Sequence, residues 1–156
     1  MIRDAPLTTL GLEQARQVRE KAADLKVQLV IASPLTRALQ TAMAIFEGIA
    51  PIKVMTGHHE RIEHWCDVGR TPEQLQTDFP ALSFEHLDDI WWHQGPENET
   101  GVPVEPKHVF AMRIDRFRAN LNSLADRPLA IVGHCNTFRE LAGFEMANCE
   151  IRKYTV

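Results

Sequence analysis

Apolar residues recur at steps of three and four over the first 25 positions. Leu12, Ala15, Val18, Ala22 and Leu25 form one stripe, and Glu13, Gln14, Arg16, Gln17 and Arg19 fill the remaining positions. That spacing predicts an amphipathic helix with Thr8 as its N-cap. Residues 27–32 (VQLVIA) change to a short, mostly apolar, β-branched run, which reads as a strand. Ser33-Pro34 predicts a helix start, a capping hydroxyl followed by proline at the first helical position. That helix is expected over 35–46 and to stop at Gly48. Residues 52–55 (IKVM) read as a second strand, and 56–70 as irregular. Thr71-Pro72-Glu73-Gln74 has the form of a capping box opening a short helix.

The second half repeats the alternation. Residues 79–104 are rich in Pro, Trp, His and acids and read as loops. A helix is predicted over 106–124, with Val109, Met112, Phe117 and Leu121 among its apolar positions. Residues 128–132 (PLAIV) read as a buried strand leading into Gly133-His134, then a helix over about 136–146 and a last strand over 149–154. Nearly continuous apolar strands between helices predict an α/β fold, a mostly parallel sheet covered on both faces in three αβα layers. One domain is expected over 1–156. Ligands of such sheets bind beyond the carboxyl ends of the strands. Two stretches therefore matter: 32–37 (ASPLTR) and 132–136 (VGHCN).

Net charge is −4 with neutral histidines. That balance argues against nucleic acid or anionic lipid as a partner, so an anionic substrate needs a local positive pocket. Cysteines number three, an odd count in a chain that is not Cys-dense, which predicts free thiols. No apolar run reaches the roughly 18 residues of a membrane span, and the N-terminus lacks a signal-peptide core. The cytoplasm is the expected location.

Arg37 falls in the first turn of a helix after a strand. Unpaired N–H groups and the dipole make such a place an anion site, and a guanidinium adds a fork matched to phosphate oxygens. The alternative is a solvated arginine, though cations near a helix start are disfavoured. His134 ends an apolar strand and opens a helix; it either donates to phosphate or relays a proton, or is a core-edge histidine bonded to a carbonyl. Glu60 follows a strand and is a proton donor if a pocket raises its pKa, or a salt-bridged surface residue otherwise.

Two sharper patterns fail on counting. His59 and His64 are five apart rather than four, so they do not form the zinc-protease helix face. A looser metal cluster of His58, His59, His64, Cys66 and Asp67 stays open. Arg139 is four residues after Cys135 rather than the six of a cysteine-phosphatase cradle, so Cys135 reads as a small, partly buried filler.

Taken together, four pieces resemble the histidine phosphatase superfamily, the phosphoglycerate-mutase-like fold. They are Asp4-Ala5-Pro6-Leu7-Thr8 with Gly11 and Gln14-Ala15; Ser33-Pro34-Leu35-Thr36-Arg37-Ala38 with Thr41-Ala42; Glu60-Arg61; and Val132-Gly133-His134. Cys66-Asp67-Val68-Gly69, Phe79-Pro80 and Trp91-Trp92 resemble a bacterial and plant branch. The resemblance implies that Arg37 grips phosphate, that His134 contacts the transferred phosphoryl group, and that Glu60 or Asp67 is the general acid. It implies neither cofactor nor metal, and a small phosphorylated substrate or phosphate as ligand. A homo-oligomer is compatible with it.

One departure matters. The family's Arg-His-Gly triplet, whose histidine accepts the phosphoryl group, is absent from this sequence. The resemblance places it on a first, central strand upstream of Asp4. Met1 is therefore expected to be internal to a longer reading frame, or the chain truncated. The expected function is phosphomonoester hydrolysis through a phosphohistidine in the full-length form, weak or absent in these 156 residues. A non-catalytic phosphate-binding domain and a phosphoglycerate mutase are the alternatives. Trp91, Trp92 and His93 are read either as a lid or as satellite core.

Overall fold

A computed structural model describes residues 2–155, so Met1 and the expectation attached to it lie outside the described residues. The chain runs α1 (Thr9–Gln17), α2 (Arg19–Asp24), β1 (Leu29–Ala32), α3 (Thr36–Phe46), β2 (Ile52–Val54), α4 (Pro72–Asp78), α5 (Lys107–Ser123), β3 (Leu129–Val132) and α6 (Cys135–Ala142). Two single-turn 3-10 helices, Thr56–His58 and Trp65–Asp67, lie between β2 and α4. The strands form one parallel sheet in the order β2-β1-β3.

Side-chain alternation along the strands divides the interior into two layers. Val30, Ala32, Val54 and Val132 face α1, α2 and α3, where Ala15, Ala22, Leu39, Ala42 and Phe46 pack. Ile31, with Leu29, Leu129 and Ile131, faces α5 and α6, where Phe110, Ile114, Phe117, Leu121 and Leu141 pack. Successive strand side chains point to opposite faces, so apolar residues at nearly every position of β1 serve both layers. This is the αβα arrangement expected from the pattern. β3 pairs with β1 on one side and with no strand among the described residues on the other. Its Leu129, Ala130 and Ile131 are only half-buried.

The expected elements hold with local corrections. The first helix breaks at Val18 into α1 and α2. Thr8 caps α1, and Thr71 with Gln74 forms the capping box of α4. Ser33-Pro34 does not open α3. Ser33 extends the ladder instead, its N–H donating to Val132 O at 3.1 Å, and α3 starts at Thr36. The cap comes from a distance: the Asp4 carboxylate accepts from Thr36 N–H at 2.8 Å and from the Thr36 hydroxyl at 2.5 Å. In α5 the buried stripe is Phe110, Ile114, Phe117 and Leu121, while Met112 is 54% exposed. α6 stops at Ala142 rather than 146, because Gly143 adopts φ 73°, the left-handed helix stop that glycine permits. The strand expected over 149–154 does not form. Cys149 turns the chain at φ 56°, and the segment then packs by side chains, Ile151 on the first core and Tyr154 Oη donating to Leu141 O.

Gly69 allows the closest approach in the interior. A Cβ there would lie 2.5 Å from Trp91 Cη2 and 2.8 Å from Trp92 Cε3. Both indoles are buried and cannot swing aside, so Gly69→Ala is expected to destabilise by roughly 1–3 kcal/mol, the usual cost of overpacking. Denaturant midpoints read the loss and near-ultraviolet circular dichroism the disturbed indoles; a spectrum and midpoint like the parent's would refute this packing.

Candidate phosphate site

The three residues singled out by position sit beyond the carboxyl ends of the three parallel strands. β1 leads through Ser33 to α3 and Arg37, β2 leads through a 3-10 turn to His58, His59 and Glu60, and β3 leads to His134. Parallel topology accounts for the convergence, because every strand ends on the same edge of the sheet.

His134 is the N-cap residue of α6, with extended backbone (φ −136°, ψ 163°), and is 7% exposed. Its Nε2 lies 2.8 Å from Ser33 Oγ. Burial pushes its pKa well below the usual 6.5, and the positive charge of Arg37 and the neighbouring His58 and His59 add to the shift. The ring is therefore neutral at physiological pH. Ser33, read from sequence as a helix cap, is thus a partner of the site histidine. Its place one residue past the strand end was the signal that pointed there.

Glu60 is buried, 8% exposed. Its Oε1 accepts from Arg61 N–H at 2.8 Å, and its Oε2 from Asn136 N–H at 3.2 Å in the first turn of α6. Burial raises its pKa, more than the two N–H donors and nearby Arg37 lower it, and the Asp67 charge raises it further. This is the environment of a carboxyl able to hold a proton.

Arg37 is half-buried. It donates to Cys66 O at 2.6 Å and to Asp67 Oδ1 at 2.8 Å. Asp67 also accepts from the backbone N–H of Glu63 and His64 through Oδ2, at 3.3 and 3.1 Å. Its carboxylate thus orders the 63–67 turn and aims the guanidinium. Both Glu60 and His134 feel the charge of Arg37, so the three belong to one electrostatic cluster.

A second, supporting cluster was not singled out as a site from the sequence. Asp4, fully buried at its side chain, holds Thr36 as described and pairs with Arg70 Nε at 2.9 Å, while Arg70 also donates to Thr36 Oγ1 at 2.7 Å. It fixes the start of α3 one residue before Arg37. The resemblance touched it through Asp4 and Thr36, but not Arg70.

The looser metal cluster does not assemble. His58 stacks on Phe117 at 4.4 Å and donates from Nε2 to Val132 O, leaving a buried Nδ1 unpartnered. His59 donates from Nδ1 to Glu60 O, and Asp67 is engaged with Arg37. No three candidate ligands come together among the described residues. Cys135 is exposed rather than partly buried, because it occupies the first turn of α6 at the surface. Trp91 and Trp92 are buried, in edge-to-face contact at 5.4 Å, with Trp91 Nε1 donating to Arg70 O. Among the described residues no helix is long and apolar enough to cross a membrane.

Comparison with known proteins places the chain among relatives of one family. A phosphoglycerate mutase-like protein of Arabidopsis thaliana is 25% identical over 98% of this chain and 73% of its own length. A probable phosphoglycerate mutase of Enterobacter is 33% identical over 56% of this chain and 34% of its own. Among solved structures, a putative α-ribazole-5′-phosphate phosphatase of Escherichia coli superposes with a TM-score of 0.60 at 21% identity, covering 89% of this chain and 67% of that one. A mycobacterial glucosyl-3-phosphoglycerate phosphatase superposes at 0.59 and 25% identity, covering 90% and 68%. The family model for the histidine phosphatase superfamily, branch 1, matches residues 2–150, and the chain belongs to that family.

Proposed function

We propose that Arg37, Glu60 and His134 form the phosphate half-site of a phosphomonoester hydrolase. The observation that carries this reading is the grouping of a guanidinium, a buried carboxyl with raised pKa and a buried neutral histidine beyond three adjacent parallel strand ends. Arg37, held by Cys66 O and Asp67 Oδ1, binds phosphoryl oxygen through its remaining N–H groups. His134 adds a hydrogen bond to a further oxygen from a buried ring. Glu60, protonated, gives its proton to the leaving oxygen as the P–O bond breaks. The phosphoryl group passes to a histidine nitrogen, which the family resemblance places in the Arg-His-Gly triplet that this sequence lacks.

These 156 residues are thus expected to bind phosphate and phosphomonoesters and to turn them over poorly. Phosphatase-named relatives support hydrolysis as the reaction class. The second reading is a non-catalytic phosphate-binding domain. The two are separated by supplying an Arg-His-Gly strand upstream of Asp4 and assaying 4-nitrophenyl phosphate. Hydrolysis is expected to appear, and His134→Ala to lower it by at least about 100-fold, within the range of lost electrostatic stabilisation. No turnover in the completed chain would leave only the binding reading.

A further inference from the structure

His59 borders more than the phosphate cluster. It also lines a cavity of about 340 Å³, near the lower limit of small-molecule sites. Trp91 and Trp92 form one wall, and Met112 and Arg116 on α5 form another. His59 meets Trp91 edge-to-face at 5.4 Å.

The polar groups of the cavity divide into those already engaged and those free. Glu105 is buried and held by both Arg113 Nε (3.0 Å) and Arg113 Nη2 (2.6 Å). The last Arg113 nitrogen serves the carbonyls of Gly57 and His59. These two charges cancel, and four of the five Arg113 N–H groups are engaged. Trp91 has its N–H on Arg70 O, so it offers the cavity a ring and not a donor. Two groups remain. Arg116 is exposed and has no ion-pair partner among the described residues, and His93 is half-buried. The cavity therefore carries one uncompensated guanidinium beside an apolar, aromatic wall, in a chain whose net charge is −4.

We infer that this cavity is a binding subsite for a single aromatic ring bearing a carboxylate, the ring against Trp91, Trp92 and Met112 and the carboxylate on Arg116 and His93. The ring suits the edge-to-face and sulfur–aromatic contacts that such side chains make. The carboxylate suits the planar fork of an unpaired arginine. The inference rests on the phosphate site proposed above: His59 walls the cavity and Glu60 is the next residue, so the probes carry a phosphate ester on the ring.

Calorimetric titration of the whole chain with inorganic phosphate, phenyl phosphate and 4-carboxyphenyl phosphate tests it. The carboxylated ester is expected to bind at least about tenfold more tightly than phenyl phosphate, a factor equal to about 1.4 kcal/mol. Arg116→Ala is expected to erase that ratio, and Arg116→Lys, which keeps the charge without the fork, to restore part of it. Equal affinities for the two esters, or a ratio indifferent to Arg116→Ala, would overturn the subsite even if phosphate binds. Arg116-dependent binding of the carboxylated ester without any binding of inorganic phosphate would keep the subsite and remove the phosphate site. If no probe binds, both fail.

Discussion

Acidification from pH 7 to pH 5 is expected to lower the unfolding free energy by several kcal/mol. Three histidines, His58, His59 and His134, are buried side by side at the carboxyl edge of the sheet. Burial holds all three well below their usual pKa of 6.5, His58 at about 3. In the unfolded chain they titrate near the usual value. Below pH 6.5 the unfolded state therefore binds more protons than the folded one, and stability falls as pH falls. Each such group contributes a slope approaching 1.4 kcal/mol per pH unit, so His58 alone removes about 2 kcal/mol by pH 5. The other two act in the same sense.

Glu60 works against them. Its folded pKa is raised by burial, so in the window above its unfolded value the folded state is the one that gains the proton. One group opposes three, and the net slope follows the histidines. Against a total of about 5–15 kcal/mol for a domain of ordinary stability, the loss is visible in urea midpoints at pH 7, 6 and 5. His58→Leu is expected to flatten the slope by about one proton. A midpoint unchanged between pH 7 and pH 5 would mean that these rings are not held neutral in the fold.

Arg113→Met is expected to cost about 3–5 kcal/mol, the range for leaving a buried charge without its partner. Glu105 is 1% exposed, and both its oxygens are held by Arg113. Arg113 also ties α5 to the turn before Glu60 through Gly57 O and His59 O, and its guanidinium carbon lies 5.0 Å from the centre of the Phe110 ring. Its loss strands a carboxylate and two carbonyls at once. Adding Glu105→Leu to Arg113→Met is expected to recover part of the loss, because the uncompensated charge is gone. Equilibrium denaturation of the single and double variants measures both. A single variant within about 1 kcal/mol of the parent would show that water already reaches this pair.

Residues whose role is set locally were legible in the sequence. The strands at 29–32 and 129–132 announced themselves by unbroken apolar runs, and 52–54 by Ile52 and Val54 flanking Lys53. The capping box at Thr71 and the anion-favouring place of Arg37 follow from neighbours within one turn. What was missed depends on partners far along the chain. Asp4 caps α3 across 32 residues, and the Ser33 hydroxyl, which also accepts from Leu35 N–H, lies beside His134, 101 residues later. The Glu105–Arg113 pair is an ordinary i, i+8 spacing until the fold buries it. The strand expected at 149–154 failed for a related reason. β-branching and alternation describe a residue's preference, while a strand also needs an edge to pair with.

The site follows the same division. Position picked out Arg37, Glu60 and His134, but Asp67, weighed as a proton donor, emerges as the residue that orients Arg37. Both carboxyls are buried; it is their partners, which a sequence does not display, that separate one held by two backbone N–H groups from one committed to an ion pair.

Phosphorus NMR titration of the chain with inorganic phosphate tests the phosphate half-site most directly. Saturable binding at one site per chain is expected, weakened at least about tenfold by Arg37→Ala and again by His134→Ala, the loss of one charge-assisted contact each. No saturable binding, or binding indifferent to both substitutions, would contradict the assignment of Arg37 and His134 to a phosphate site.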